Sequence, residues 1–215
     1  MSDVICIFDL RRMFTHAAEQ IRHESELLSQ LDCVGGDGDH GTTIVRAMEM
    51  LEYEMNAKSD RPLDVRLRDA GWSVLGVGGG ASSALLGTFI AGMGDVELGR
   101  ECDCKRLAAG FASGLRAVEK QTKAKPGDKT MMDALVPAVQ AIEAAAGSGE
   151  SIARALKLAA DAARSGAEAT KKMIARYGRA KFLGERTLGS ADAGATSIAL
   201  LFQGFSTAFA KQKEV

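Results

Sequence analysis

Proline is scarce in this chain, with three residues in 215, and aromatic side chains make up only 5%. So little proline leaves room for long uninterrupted helices, and the shortage of aromatics removes much of the usual material of a sheet. No apolar run approaches the length needed to cross a bilayer. The first residues, MSDVICIFDLRRMF, lack the basic start, long apolar stretch and cleavage site of a secretory leader, so a cytoplasmic protein is expected. The four cysteines (Cys6, Cys33, Cys102 and Cys104) form no framework of spaced pairs. Cys102 and Cys104 have no second pair and no nearby histidine to complete a zinc site, and reduced thiols are the expectation. A formal charge of −1 gives no reason to expect nucleic acid or an acidic membrane as partner. No Ser-His-Asp or Cys-His arrangement for covalent hydrolysis can be read either.

Alanine and leucine supply most of the apolar surface, and their spacing predicts an all-α fold in a single domain over residues 1–215. Eight helices are read, at about 8–30, 43–56, after Pro62 up to the glycine run that begins at 76, 82–93, 104–122, 130–145, 151–177 and 193–211. Pro62 suits a first turn, and Pro137 inside the sixth helix should kink it or shift its start. No segment alternates strictly, so no sheet is expected.

The 24 glycines are many for a helical protein, and the connections do not share them evenly. The unusual connections are 33–41, 76–83, 125–129 and 178–194, which join the first helix to the second, the third to the fourth, the fifth to the sixth and the seventh to the eighth. In an up-and-down antiparallel bundle these odd-to-even connections all fall at one end. Each opens a helix, and a helix N-terminus with a glycine-rich approach is a ready anion site. One end therefore reads as a binding face and the other as scaffold.

The sharpest loop is Asp32 to Thr43. Asp32, Asp37 and Asp39 lie within eight residues, among glycines that let the backbone fold tightly around a centre. Converging carboxylates repel unless a cation sits among them, and magnesium favours a few carboxylates plus phosphate oxygens and water. An aspartate-rich turn that only caps the next helix has the same composition. Gly78-Gly79-Gly80-Ala81-Ser82-Ser83 is a candidate phosphate cradle, or a flexible turn; it is no Walker loop, because no Gly-Lys-Ser/Thr ends it. Gly127 to Met132 reads as a helix cap or as the place where Thr130 and Met131 meet a nucleotide base. Arg179 or Lys181 is a candidate to neutralise phosphate, although a solvated charge run is the ordinary explanation. His40, inside the aspartate loop, suits an orienting hydrogen bond better than metal ligation. His16 and His23 read as surface residues.

Taken in order, Leu31-Asp32 with GDGDHGTT (36–43), GGAS (79–82) with LLGTF (85–89), PGDKTMMDALVP (126–137) and GRAKFLGERTLGSADAGATS (178–197) resemble the L subunit of the dihydroxyacetone kinase family. The resemblance covers nearly the whole chain. It implies an eight-helix antiparallel barrel with nucleotide bound at one end, and two Mg2+ ions held by Asp32, Asp37 and Asp39 against the phosphates of ATP or ADP. It further implies phosphate contacts from Ser82 with Gly79, Gly80 and Ala81, and a base site at Gly127, Thr130 and Met131. Arg179 and Asp192 would complete the site, with His40 and Thr43 close to phosphates and metals. Ser83 and Ala84 stand where the multi-subunit bacterial form usually has Gly-Pro, Ala193 replaces a frequent proline, and Thr42-Thr43 is closer to the single-chain ATP-dependent form. The phosphoryl source implied is free ATP, or a bound ADP recharged by a phosphoryl-donor protein. The ketose would be held on a separate K-type subunit, and a nucleotide-loaded regulatory or adaptor module is the alternative reading.

Overall fold

The computed structural model describes residues 4–57, 60–76 and 80–210. Apolar side chains at helical spacing build nine α-helices among these residues: α1 (Ile7–His23), α2 (Ser25–Cys33), α3 (His40–Asn56), α4 (Leu63–Gly76), α5 (Gly80–Met93), α6 (Cys104–Gln121), α7 (Met132–Gly147), α8 (Ile152–Ala169) and α9 (Ala193–Ala210). Apart from the short α2, each helix packs on the next in sequence, and α9 returns to α1. The result is a closed ring of eight antiparallel helices, as the helix count and short connections predict.

Five fully buried phenylalanines fill the barrel: Phe14, Phe89, Phe111, Phe202 and Phe205. Phe14 meets Phe205 edge to face at 5.3 Å between centroids, and Phe111 meets Phe202 at 5.6 Å. Such contacts add to the burial of the rings themselves. The axis is packed side chain, and a cleft opens at one end.

Three elements depart from the sequence reading. The predicted first helix breaks at Glu24, whose φ of −98° and ψ of 13° end α1 and start α2 in a new direction. The break lets the Ser25 carbonyl lie against Gly41 on α3, where a Cβ would come within 2.0 Å of that oxygen. Apolar spacing runs on across the break through Ile21 and Leu28, so periodicity alone does not reveal it. The predicted seventh helix stops at Ala169 rather than 177. Thr170 there is fully buried and accepts the Asp192 N–H at 2.9 Å, which draws the chain out of the helix into a strap continuing through a 3-10 stretch at Arg179–Thr187. Finally, a small sheet exists. Strand β1 (Val4–Cys6) pairs antiparallel with β2 (Glu101–Asp103), with Ile5 opposite Cys102 and both buried. Three residues are too few for alternation to register.

The helix through Pro137 starts at Met132, two residues later than predicted. Proline cannot return an N–H to the carbonyl four residues back, at Asp133. That carbonyl faces Gly166 of α8, where a Cβ would stand 1.9 Å from the oxygen. All four cysteines are free thiols. Among the described residues, no helix is long and apolar enough to cross a membrane.

Candidate functional site

Three of the glycine-bearing connections and the start of α5 meet at one end of the barrel around a cleft of about 390 Å³. Its walls come from the loop after α2, the start of α5, the approach to α7 and the strap before α9. Of the residues predicted from sequence, Asp32, Asp37, Asp39, His40, Thr43, Gly80, Ala81, Ser82, Thr130, Met131, Arg179 and Asp192 all line it. Gly79 lies outside the described residues. Gly127 does not line the cleft: with φ of 99° it turns its N–H to Asp133 Oδ1 at 2.6 Å, so it supports the loop from behind. Lys181 is also outside, its ammonium 4.8 Å over the Phe182 ring.

Asp32 sits at the end of α2, and the chain then doubles back around its carboxylate. Its Oδ2 accepts the Gly38 N–H at 2.9 Å, and a Cβ on Gly36 would lie 2.1 Å from Oδ1. A side chain there would displace the Asp32 carboxylate. The turn brings one carboxylate oxygen each from Asp32, Asp37 and Asp39 within 4.8 Å of one another, with Asp37 and Asp39 exposed. Three oxygens at that spacing are a donor set suited to a hard divalent cation. Thr42 donates its hydroxyl to the Asp39 carbonyl at 2.8 Å and steadies the start of α3.

Arg179 reaches from the strap to Asp37 Oδ2 at 2.7 Å. This hydrogen bond and the positive charge hold the Asp37 carboxyl below its usual range, and the same contact raises Arg179. His40 is buried, with Nε2 3.2 Å from Ser197 Oγ on α9. Burial pushes its pKa below the usual value despite the charges of Asp32 and Asp39, so a neutral ring ties α3 to α9.

Sequence reasoning passed over Lys129 and Asp133. Lys129 is buried, adopts φ of 58° and donates its ammonium to the carbonyls of Thr170 (2.7 Å) and Ser190. It thereby staples the two ends of the strap to the α7 loop. Burial lowers its pKa, while Asp192 and Asp133 favour the charge. Asp133 is buried as well and accepts the N–H groups of Gly127 and Thr130, the latter at 2.8 Å. Both residues sit inside the PGDKTMMDALVP stretch, yet left-handed backbone and buried charge leave no mark on composition. Asp192 caps α9 by accepting the Ala195 N–H at 2.7 Å. Burial, with the nearby Asp133 and Asp32 charges, pushes its carboxyl up to about 6.

An eight-helix antiparallel barrel with an acidic, glycine-walled cleft at one end is the architecture of a DAK2 domain, and the chain belongs to that family, whose profile matches residues 34–207. Within it, the chain is a member of the group of L-type subunits of dihydroxyacetone kinase. It is 36% identical to the ADP-binding subunit DhaL of the PEP-dependent dihydroxyacetone kinase of Escherichia coli, over 88% of this chain and 90% of that one. It is also 36% identical to D-erythrulose kinase of Mycolicibacterium smegmatis, over 88% of this chain but 33% of the relative. The crystal structure of the dihydroxyacetone kinase from C. freundii in complex with AMP-PNP and Mg2+ superposes with a TM-score of 0.71 at 25% identity, covering 92% of this chain and 33% of that one. The chain thus spans nearly all of the separate subunit and about a third of the longer kinases.

Proposed function

We propose that this chain is the nucleotide-binding subunit of a dihydroxyacetone-type ketose kinase. It carries ATP or ADP with two Mg2+ ions and delivers a phosphoryl group to a short ketose held on a separate K-type subunit. The observation that carries this reading is the convergence of Asp32, Asp37 and Asp39 in a single cleft that also contains Ser82, Thr130 and Arg179. The relatives add weight, since one is named for binding ADP and the structural neighbour was solved with AMP-PNP and Mg2+.

Asp32, Asp37 and Asp39 would hold the metal, which when bound neutralises phosphate charge and aligns the chain of phosphates for in-line transfer. The residues of the protein supply the rest. Ser82 and the first N–H groups of α5 face the cleft as donors to phosphate oxygens. Arg179, held by Asp37 in this structure, is placed to pass its guanidinium to a phosphate when a cation takes its share of the carboxylate. Met131, buried at the foot of the cleft, offers an apolar face to the base, and Thr130 a hydroxyl beside it. His40 keeps α3 in register with α9 and holds no metal itself. Catalysis in this scheme is positioning and charge neutralisation, with no covalent step on the chain.

The test combines the purified chain with a K-type subunit, Mg2+, dihydroxyacetone and either ATP or a phosphoryl-donor protein. Formation of dihydroxyacetone phosphate with one of the two donors supports the reading and identifies the donor. Tight Mg2+-dependent nucleotide binding with no ketose phosphate under either scheme would reassign the chain as a nucleotide-loaded adaptor.

A further inference from the structure

Lys129 combines features that an ordinary surface loop does not need. Among the described residues it is the one non-glycine residue with a left-handed backbone, at φ of 58°. Its side chain is only 6% exposed, so an ammonium ion is carried out of water. That ammonium donates to the carbonyls of Thr170, at 2.7 Å, and Ser190. These two residues stand where the strap leaves α8 and where it returns toward α9. The Gly189 N–H closes the same neck on the Lys171 carbonyl at 2.8 Å, and the Thr170 hydroxyl accepts the Asp192 N–H. Beyond the neck, Arg176 donates its N–H to the Asp128 carbonyl at 3.1 Å. The strap and the loop before α7 are therefore joined along Asp128 and Lys129, directly before Thr130 and Met131 in the chain.

We infer that Lys129 is a positioning residue: its ammonium fixes the separation between the base half of the cleft, at Thr130 and Met131, and the phosphate half, at Arg179 on the strap. The inference rests on the kinase reading above and extends it to a residue that acts through others. Lys129 borders the cleft, yet its ammonium is committed to protein carbonyls. Left-handed backbone and a buried charge both cost free energy, and glycine at this position would remove both costs. Glycine could not supply a donor that reaches carbonyls on the two sides of the neck. An ammonium has three donors and no acceptor, so it can grip carbonyls from separate segments. The nearby Asp192 and Asp133 carboxylates favour its charge. A nucleotide engages base and phosphates at once, and such a two-part ligand gains most when the half-sites already stand at the right spacing. Without the pin each half-site survives, and the second contact has to wait on the strap.

The experiment measures, well below the melting temperature and in Mg2+, binding of ADP, adenosine and pyrophosphate to the full chain. The parent is compared with Lys129→Met and Lys129→Gly. Methionine keeps most of the side-chain length and loses the donors, whereas glycine also relieves the backbone and carries the test should the methionine variant prove too unstable. We expect each variant to bind ADP about tenfold or more weakly, with adenosine and pyrophosphate within about twofold of the parent. Hydrogen exchange of the strap amides in the nucleotide-free chain should quicken in both. Parent-like ADP affinity in either variant overturns the inference, and so does a strap that exchanges no faster. An adenosine or pyrophosphate loss as large as the ADP loss also overturns it, because that marks direct contact with the ligand or a general loss of fold. Failure of the parent itself to bind ADP with Mg2+ would instead remove the kinase reading on which the inference rests.

Discussion

Asp37 and Asp39 are the most exposed members of the acidic trio, and both depend on the turn that Gly36 and Gly38 permit. Replacing either carboxylate by an amide keeps the shape but removes a charge from the proposed cation site. Asp37→Asn or Asp39→Asn should therefore weaken Mg2+-dependent ADP binding by two orders of magnitude or more, with the far-ultraviolet dichroism of the parent retained. Calorimetry gives the affinity, and a variant that holds ADP as tightly as the parent contradicts the metal assignment. Asp192 behaves differently because it is half-buried beside the Asp133 and Asp32 carboxylates. Its carboxyl, ordinarily near 3.8, stands at about 6 in the fold, so folding favours the protonated form. The corresponding stability is complete below the unfolded value and is lost as pH rises through the folded one. Asp192→Asn keeps the cap on α9 and does not ionise. Relative to the parent, it should gain on the order of 1–3 kcal/mol between about pH 4 and pH 7. Urea unfolding at three pH values measures this in the metal-free, nucleotide-free protein, and a difference that stays flat with pH would rule it out.

At the scale of elements, the glycines inside helices mark where backbones touch. Gly204 of α9 packs so closely on α1 that a Cβ would stand 2.3 Å from the Ala17 Cα, at the seam where the ring closes. Gly204→Ala should therefore cost about 1–3 kcal/mol by forcing that seam apart. Gly147, at the end of α7, has nothing within 4 Å of the same position and no left-handed backbone. Gly147→Ala should be neutral or slightly stabilising, which makes it the control for helix propensity. Denaturant midpoints of the two variants distinguish steric closure from propensity, and equal midpoints would mean that the seam tolerates a methyl group. The aromatic filling of the barrel makes a companion case. Phe202 touches Phe89, Phe111 and Phe205, and Phe202→Ala should cost about 3–5 kcal/mol.

For the whole molecule, a nucleotide bound as proposed would link loops that lie far apart in sequence, since the cleft draws on residues from 31 to 194. A ligand that binds only the folded chain stabilises it by mass action. At a hundredfold excess over its dissociation constant this is about 2.7 kcal/mol, or roughly 5–10 °C in melting temperature for a chain of this length. The rise should require ADP and Mg2+ together and vanish with a chelator; a full rise with ADP and chelator would detach the nucleotide from the acidic trio. The all-α class, the eight-membered ring and the gathering of glycine-bearing loops at one end were legible in the sequence, because apolar spacing and glycine placement are local signals read directly from residue order. So were the acidic trio and the Thr130–Met131 pair, which lie in short motifs. The break at Glu24, the early end of α8 at Thr170, the paired strands Val4–Cys6 and Glu101–Asp103, and the buried staple of Lys129 were not. Each of these depends on what a residue meets from a distant part of the chain: Gly41 against the Ser25 carbonyl, Asp192 against the Thr170 hydroxyl, Ile5 against Cys102, the Lys129 ammonium against the carbonyls of Thr170 and Ser190. Residue order sets local preference, and only the closed barrel brings those partners within bonding distance.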